Sequence, residues 1–105
     1  MSAKELFLEK VAKNLEAKAD KVKTINAIYE FNITDENSTY TIDLTKSGGF
    51  VSEGSSGHAK CTISIKAEDF AALIDKKLNP QMAFMTGKLK IKGDMGLALK
   101  LGTIL

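Results

Sequence analysis

At 105 residues, 44% apolar and 27% charged, with one Pro and 8 Gly, the chain has room for one domain around one core and lacks the composition of a disordered or collagen-like polymer. Its 15 Lys+Arg against 13 Asp+Glu leave a formal charge of +2 spread along the whole length, which excludes the concentrated basic stripe that nucleic-acid binding needs. Cys61 is the single cysteine, so an internal disulfide framework is excluded, a reducing compartment fits, and an intracellular home is expected.

The N-terminal stretch MSAKELFLEKVAKNLEAK interleaves charges with apolar residues, unlike the uninterrupted apolar run of a signal peptide or membrane span. From Ala3 to Ala19, Phe7, Leu8, Val11, Ala12, Leu15 and Ala19 recur at spacings of three and four. That period predicts an amphipathic helix, with Ser2 and Glu5 placed as a capping box at its start.

Ile25, Ala27, Tyr29, Phe31 and Ile33 then alternate with Asn26, Ile28, Glu30, Asn32 and Thr34, the period of a strand with one buried face. Asp35 to Ser38 supply turn residues, and Tyr40, Ile42 and Leu44 alternate onward as the second arm of a hairpin. The Gly/Ser-rich segment Lys46 to Lys60 holds Phe50 and Val51 as its only large apolar residues, which predicts a short edge strand within a mobile connection. Cys61, Ile63 and Ile65 mark a further strand.

From Ala67 the period turns helical, with Phe70, Ala71, Leu73, Ile74 and Leu78 on one stripe, acids early and lysines late to match the helix dipole. Asn79-Pro80 ends that helix and caps a short second one over Gln81 to Thr86, which Gly87 closes. Leu89 and Ile91, between Lys88, Lys90 and Lys92, form the last strand. The tail from Met95 fits both periods, and with Asp94 placed to cap it we read it as a helix. The order is helix, three or four antiparallel strands, two helices, strand, helix: an α+β protein with helices on one face of the sheet.

Catalytic chemistry finds little material. His58, the sole histidine, and Cys61 are the best pair for nucleophilic catalysis, yet Cys61 shares the parity of Ile63 and Ile65 and reads as a buried residue. One Cys and one His leave a zinc site short, and Asp35-Glu36 and Glu68-Asp69 read as a solvated turn and a helix start. Gly48-Gly49 and the Gly54 to Gly57 stretch lack the phosphate-loop pattern. No enzyme and no cofactor are expected. Lys88, Lys90 and Lys92, with Lys100 nearby, read as a solvated face, with a patch for anionic lipid head groups as the functional alternative. Met82, Met85 and Met95 cluster late in the chain with Phe84, Leu97, Leu99 and Leu101; flexible thioethers suit either an ordinary core or a cavity that fits variable apolar shapes.

The wording of this stretch is more specific than its period. Cys61-Thr-Ile-Ser-Ile, Asp69-Phe70, Leu78-Asn79-Pro80-Gln81-Met82-Ala83-Phe84, and Gly87 through Leu101 closely resemble the sterol carrier protein-2 family, and Tyr29-Glu30-Phe31 and Tyr40 to Leu44 agree in order and character. The resemblance implies one domain over residues 1–105, with a five-stranded, mostly antiparallel sheet covered on one face by helices and enclosing an apolar lipid tunnel. The implied role is a carrier of fatty acids, fatty acyl-CoA, phospholipids or sterols. The two middle helices, the last strand and the tail would line the tunnel, which points to Phe70, Leu73, Ile74, Leu78, Met82, Phe84, Met85, Leu89, Ile91, Leu97, Leu99 and Leu101. Gln81 matches a ligand-binding glutamine of related domains, whereas Leu99 stands where some relatives place a second one. The expected partner is a small apolar lipid, with transient membrane contact, no nucleic acid and a monomeric state. The alternative is an interaction module or homodimer using the same apolar groove. Thr103-Ile104-Leu105 is not a peroxisomal address, so cytoplasm is the expected location.

Overall fold

Each period-two segment of the sequence forms a strand, β1 Ile28–Ile33, β2 Ser38–Asp43, β4 Cys61–Ile65 and β5 Leu89–Gly93, and Phe50 and Val51 begin the short strand β3 Phe50–Glu53. The computed structural model describes residues 3–46, 49–102 and 104, and of Ala3 and Leu101 the backbone alone. The expected cap Ser2 and the residues Gly48, Thr103 and Leu105 lie outside the described residues. The strands join in one sheet in the order β3-β2-β1-β4-β5.

Three neighbouring pairs are antiparallel, and the fourth, the central strand β1 with β4, is parallel, with Tyr29 opposite Cys61, Phe31 opposite Ile63 and Ile33 opposite Ile65. The sheet is therefore mostly antiparallel, as the resemblance implies, and β1, β2 and β3 form an antiparallel run that β4 does not extend. β4 returns to the far side of β1 after the hairpin and β3, a connection long enough to reverse the chain twice.

Alternation sorts the two faces. Tyr29, Phe31, Ile33, Ile42, Cys61, Ile63 and Ile65 are buried toward the helices, while Glu30, Asn32, Thr62, Ser64, Lys90 and Lys92 occupy the other face. Thr41 is buried on that polar side, where its hydroxyl donates to the Gly54 carbonyl at 2.6 Å, so the Gly/Ser-rich loop closes over the middle of the sheet.

The first helix, α1, covers residues 3–17, α-helical over Ala3–Glu5 and Ala12–Ala17 and a π-helix over Leu6–Val11. The wider π turns bring residues five apart over one another, so Leu6 joins Phe7, Val11 and Leu15 on the buried face and Leu8 turns outward at 41% exposure. This moves the expected stripe, which had placed Leu8 inside. A second helix, α2 (Ala19–Ile25), follows a break at Lys18 and ends at Asn26, whose left-handed φ of 47° is one that asparagine tolerates. The alternating pattern had run the strand back through this turn to Ile25.

Two further helices end in the same way. α3 (Ala67–Ile74) stops four residues before the expected Leu78, because Lys76 takes φ 63° and its N–H and that of Lys77 donate to the carbonyls of Leu73 and Ala72. α4 (Pro80–Met85) starts at Asn79, whose side chain accepts from the N–H groups of Gln81 and Met82. It stops at Gly87, where Gly87 and Lys88 donate to Phe84 and Ala83. The tail is the helix α5 (Met95–Leu101), with the Asp94 carboxylate accepting from the Leu97 N–H at 3.2 Å. The start of α3 is secured from a distance, the Asp35 carboxylate in the β1–β2 turn accepting from the Ala67 N–H at 2.9 Å.

Candidate functional site: an apolar hollow beneath the last helices

The sheet is covered unevenly. α1 lies over β1, β2 and β3, and here aromatic rings fill the space. Phe7 stacks on Tyr40 at 4.3 Å and on Phe70 at 4.2 Å between centroids, and Phe31 meets Phe7 and Phe70 edge-on at 5.3 and 5.6 Å. Over β4 and β5 the cover consists of the short helices α4 and α5, and the side chains they bury include the small Ala83 and Ala98. Alanines cannot reach the sheet as Phe7 does, and a cavity of about 450 Å³ remains. This lies within the roughly 300–1,000 Å³ of sites that bury a small molecule.

The floor of the hollow is Phe31, Ile63, Leu89 and Ile91 from the sheet, with Leu73 of α3 at one side. Phe84 and Met85 of α4 and Met95, Ala98 and Leu99 of α5 form its roof and mouth. Met85 and Leu99 are 70% and 69% exposed, so the opening is rimmed by large apolar side chains standing in water. Gln81, Asn79, Pro80 and Gly102 complete the lining, and the amides of Gln81 and Asn79 are its polar side chains.

Of the residues the sequence pointed to, Leu73, Gln81, Phe84, Met85, Leu89, Ile91 and Leu99 line this cavity. Phe70 is committed to the aromatic stack, Leu97 is buried at the foot of α5, and Ile74 is buried in the core. Leu78 lines a smaller neighbouring hollow, Met82 is exposed outside the lining, and the side chain of Leu101 lies outside the described residues. Phe31 and Ile63 were missed because a strand's inward residues carry no mark in sequence that tells cavity floor from packed core. Met95 stood among the clustered methionines, but its rim position depends on where α5 docks.

One buried hydrogen bond fixes that docking. The Tyr29 hydroxyl, wholly buried beneath α5, donates to the Leu97 carbonyl at 2.6 Å and ties the roof to the central strand. Burial above all, then Cys61 and Asp94, holds this phenol above its ordinary pKa, so it stays a donor. Cys61 beside it is likewise wholly buried; burial first and Asp94 second push its thiol up to about 11, and the uncharged thiol is a poor nucleophile. His58 sits exposed in the loop. Lys90 and Lys92 extend from the sheet face opposite the cavity, since Leu89 and Ile91 between them form its floor. Among the described residues no group of three or more His, Cys, Asp or Glu side chains converges, and no helix is long and apolar enough to cross a membrane.

A mixed five-stranded sheet with an apolar hollow under two short C-terminal helices defines a small α+β domain of the pocket-bearing kind. The chain belongs to the SCP-2 sterol transfer family, whose family model matches residues 7–105. It is 41% identical over 101 residues to Sterol carrier protein 2 of Homo sapiens, covering 91% of this chain and 18% of that protein. It is 48% identical over 86 residues to Hydroxysteroid dehydrogenase-like protein 2 of Xenopus tropicalis, covering 80% of this chain and 21% of that one. The chain thus spans about a fifth of the length of these relatives. The palmitated SCP2L2 of Aedes aegypti superposes with a TM-score of 0.81 at 25% identity, over 99% of this chain and 94% of that one.

Proposed function

We propose that the chain is a single lipid-holding domain that takes one apolar ligand, a fatty acyl chain or a sterol, into the hollow and carries it through water. The observation that carries this reading is the about 450 Å³ apolar cavity with a water-facing rim of Met85 and Leu99. A hydrocarbon chain supplies its own affinity, since burying each methylene is worth ~0.8 kcal/mol and a dozen contribute about 10 kcal/mol before ordering costs. The palmitated relative supports an acyl chain as occupant, and the family description supports a sterol. Fatty acyl-CoA and phospholipids extend the proposal, their larger heads remaining outside the mouth. The rim residues make transient contact with a membrane as ligand enters, and Gln81 provides a polar contact near the entrance. We assign no reaction to the domain, which acts as a monomer in the cytoplasm. The dehydrogenase-like relative extends over a length about five times that matched here, so its name describes that protein.

The test is direct titration of a fluorescent fatty acid and a fluorescent sterol into delipidated protein. We expect saturable one-to-one binding, with about 2.7 kcal/mol of added stability at a free ligand concentration 100 times the Kd. If neither probe binds and the unfolding midpoint does not move, the carrier reading is wrong.

A further inference from the structure

Two hollows adjoin beneath the last helices. The second, of about 360 Å³, shares Leu73, Asn79, Pro80 and Gly102 with the main cavity, and Leu78 is among the residues it adds. The shared residues form the partition between the two. Pro80 and Met85 stand at opposite ends of α4, about 7.5 Å apart along its axis, so the partition lies at the far end of that helix from the Met85 rim.

Gly102 is the thin place in that partition. Its φ of -59° and ψ of -18° are right-handed helical values open to any residue, unlike the φ of 105° at Gly93, so the backbone does not call for glycine there. Crowding does not call for it either, because a Cβ at Gly102 would rest 3.6 Å from Cγ of Pro80, an ordinary van der Waals contact. What the missing side chain leaves is space between the end of α5 and the Pro80 ring, and both residues border both hollows. We infer that Pro80 and Gly102 form a seam through which the far end of a long alkyl chain passes from the main cavity into the second hollow, so that Gly102 sets the longest chain the domain accommodates. The inference rests on the carrier reading above and adds the residue that decides chain length. Leu73 borders both hollows and Leu78 the second, so an emerging hydrocarbon meets apolar surface on each side of the seam.

The test is a length series of straight-chain alcohols, from short to long in two-carbon steps, displacing a fluorescent fatty acid from the delipidated full chain and from Gly102→Leu. Alcohols carry no charge, so length alone varies. Each methylene taken out of water tightens binding by up to about fourfold. Affinity for the unaltered chain should keep rising past the length at which it levels off in Gly102→Leu. The longest alcohols should then bind the variant about tenfold more weakly, while the shortest bind both alike. Length curves that superpose, or that are displaced equally at every length, overturn the seam and leave the carrier reading intact; equal displacement would mean that Gly102 belongs to the main cavity alone. If no alcohol displaces a probe that binds, the seam falls as well, and if the probe does not bind, the carrier reading falls with it. Should Gly102→Leu fail to fold, Pro80→Ala carries the test alone, since it trims the other side of the seam while alanine suits the first turn of α4 and Asn79 still caps it. The longest alcohols should then gain about threefold and the shortest nothing, and the absence of that gain overturns the seam.

Discussion

Beside α1 the sheet's own Phe31 and Tyr40 meet the rings of Phe7 and Phe70, and under α4 and α5 the sheet meets the buried Ala83 and Ala98 beside Leu97. Both halves follow the same inward alternation, and Phe31 of β1 contributes to each, one side to the ring stack and one to the cavity floor. What separates them is the length of the cover and the size of its inward side chains. A helix over residues 3–17 presents Leu6, Phe7, Val11 and Leu15 in succession, whereas six- and seven-residue helices each present about two turns. Stability and capacity are thus allotted to different halves of one sheet, and the distinction can be broken experimentally.

The largest effect is expected in the filled half. Phe7→Ala removes the ring shared by three aromatic contacts and should cost about 3–5 kcal/mol in a denaturant melt. A loss under 1 kcal/mol would show that the stack is not what holds this half. Tyr29→Phe tests the bond between the halves: the buried Leu97 carbonyl loses its donor, at a cost of about 1–3 kcal/mol. Amide hydrogen exchange should then quicken in α5 while α1 stays protected, and uniform quickening would mean that the roof has no independence. The smallest change in stability belongs to the rim. Met85→Ser and Leu99→Ser should each shift stability by no more than about 0.5 kcal/mol. The pair should weaken acyl-ligand affinity by roughly three- to tenfold, and a large stability loss instead would make the rim part of the core.

The elements were largely legible in the sequence where local chemistry decides them. Alternation located four of the five strands, Phe50 and Val51 marked the short edge strand, Asn79-Pro80 and Gly87 bracketed α4, and Asp94 identified the tail as a helix. Three features escaped for physical reasons. Among the residues of α2 only Val22 is buried, too few for a period to show. Lys76 ends α3 in a left-handed turn that nothing in its residue type announces. The parallel pairing of β1 with β4 depends on contacts between distant segments, which alternation within either strand does not carry. Of the residues picked out in sequence, those of α4 and the last strand that border the hollow are Gln81, Phe84, Met85, Leu89 and Ile91, while Phe31 and Ile63 enter it because the cover above them is short.

The parallel pair has a consequence for how the protein comes together during synthesis. β1 and β2 are joined by a tight turn and can zip as soon as both have emerged, whereas Tyr29 finds Cys61 only after the intervening hairpin arm, edge strand and loop have been made. The hairpin is consequently available before the strand that borders the hollow, and the two short helices that roof it are made later still.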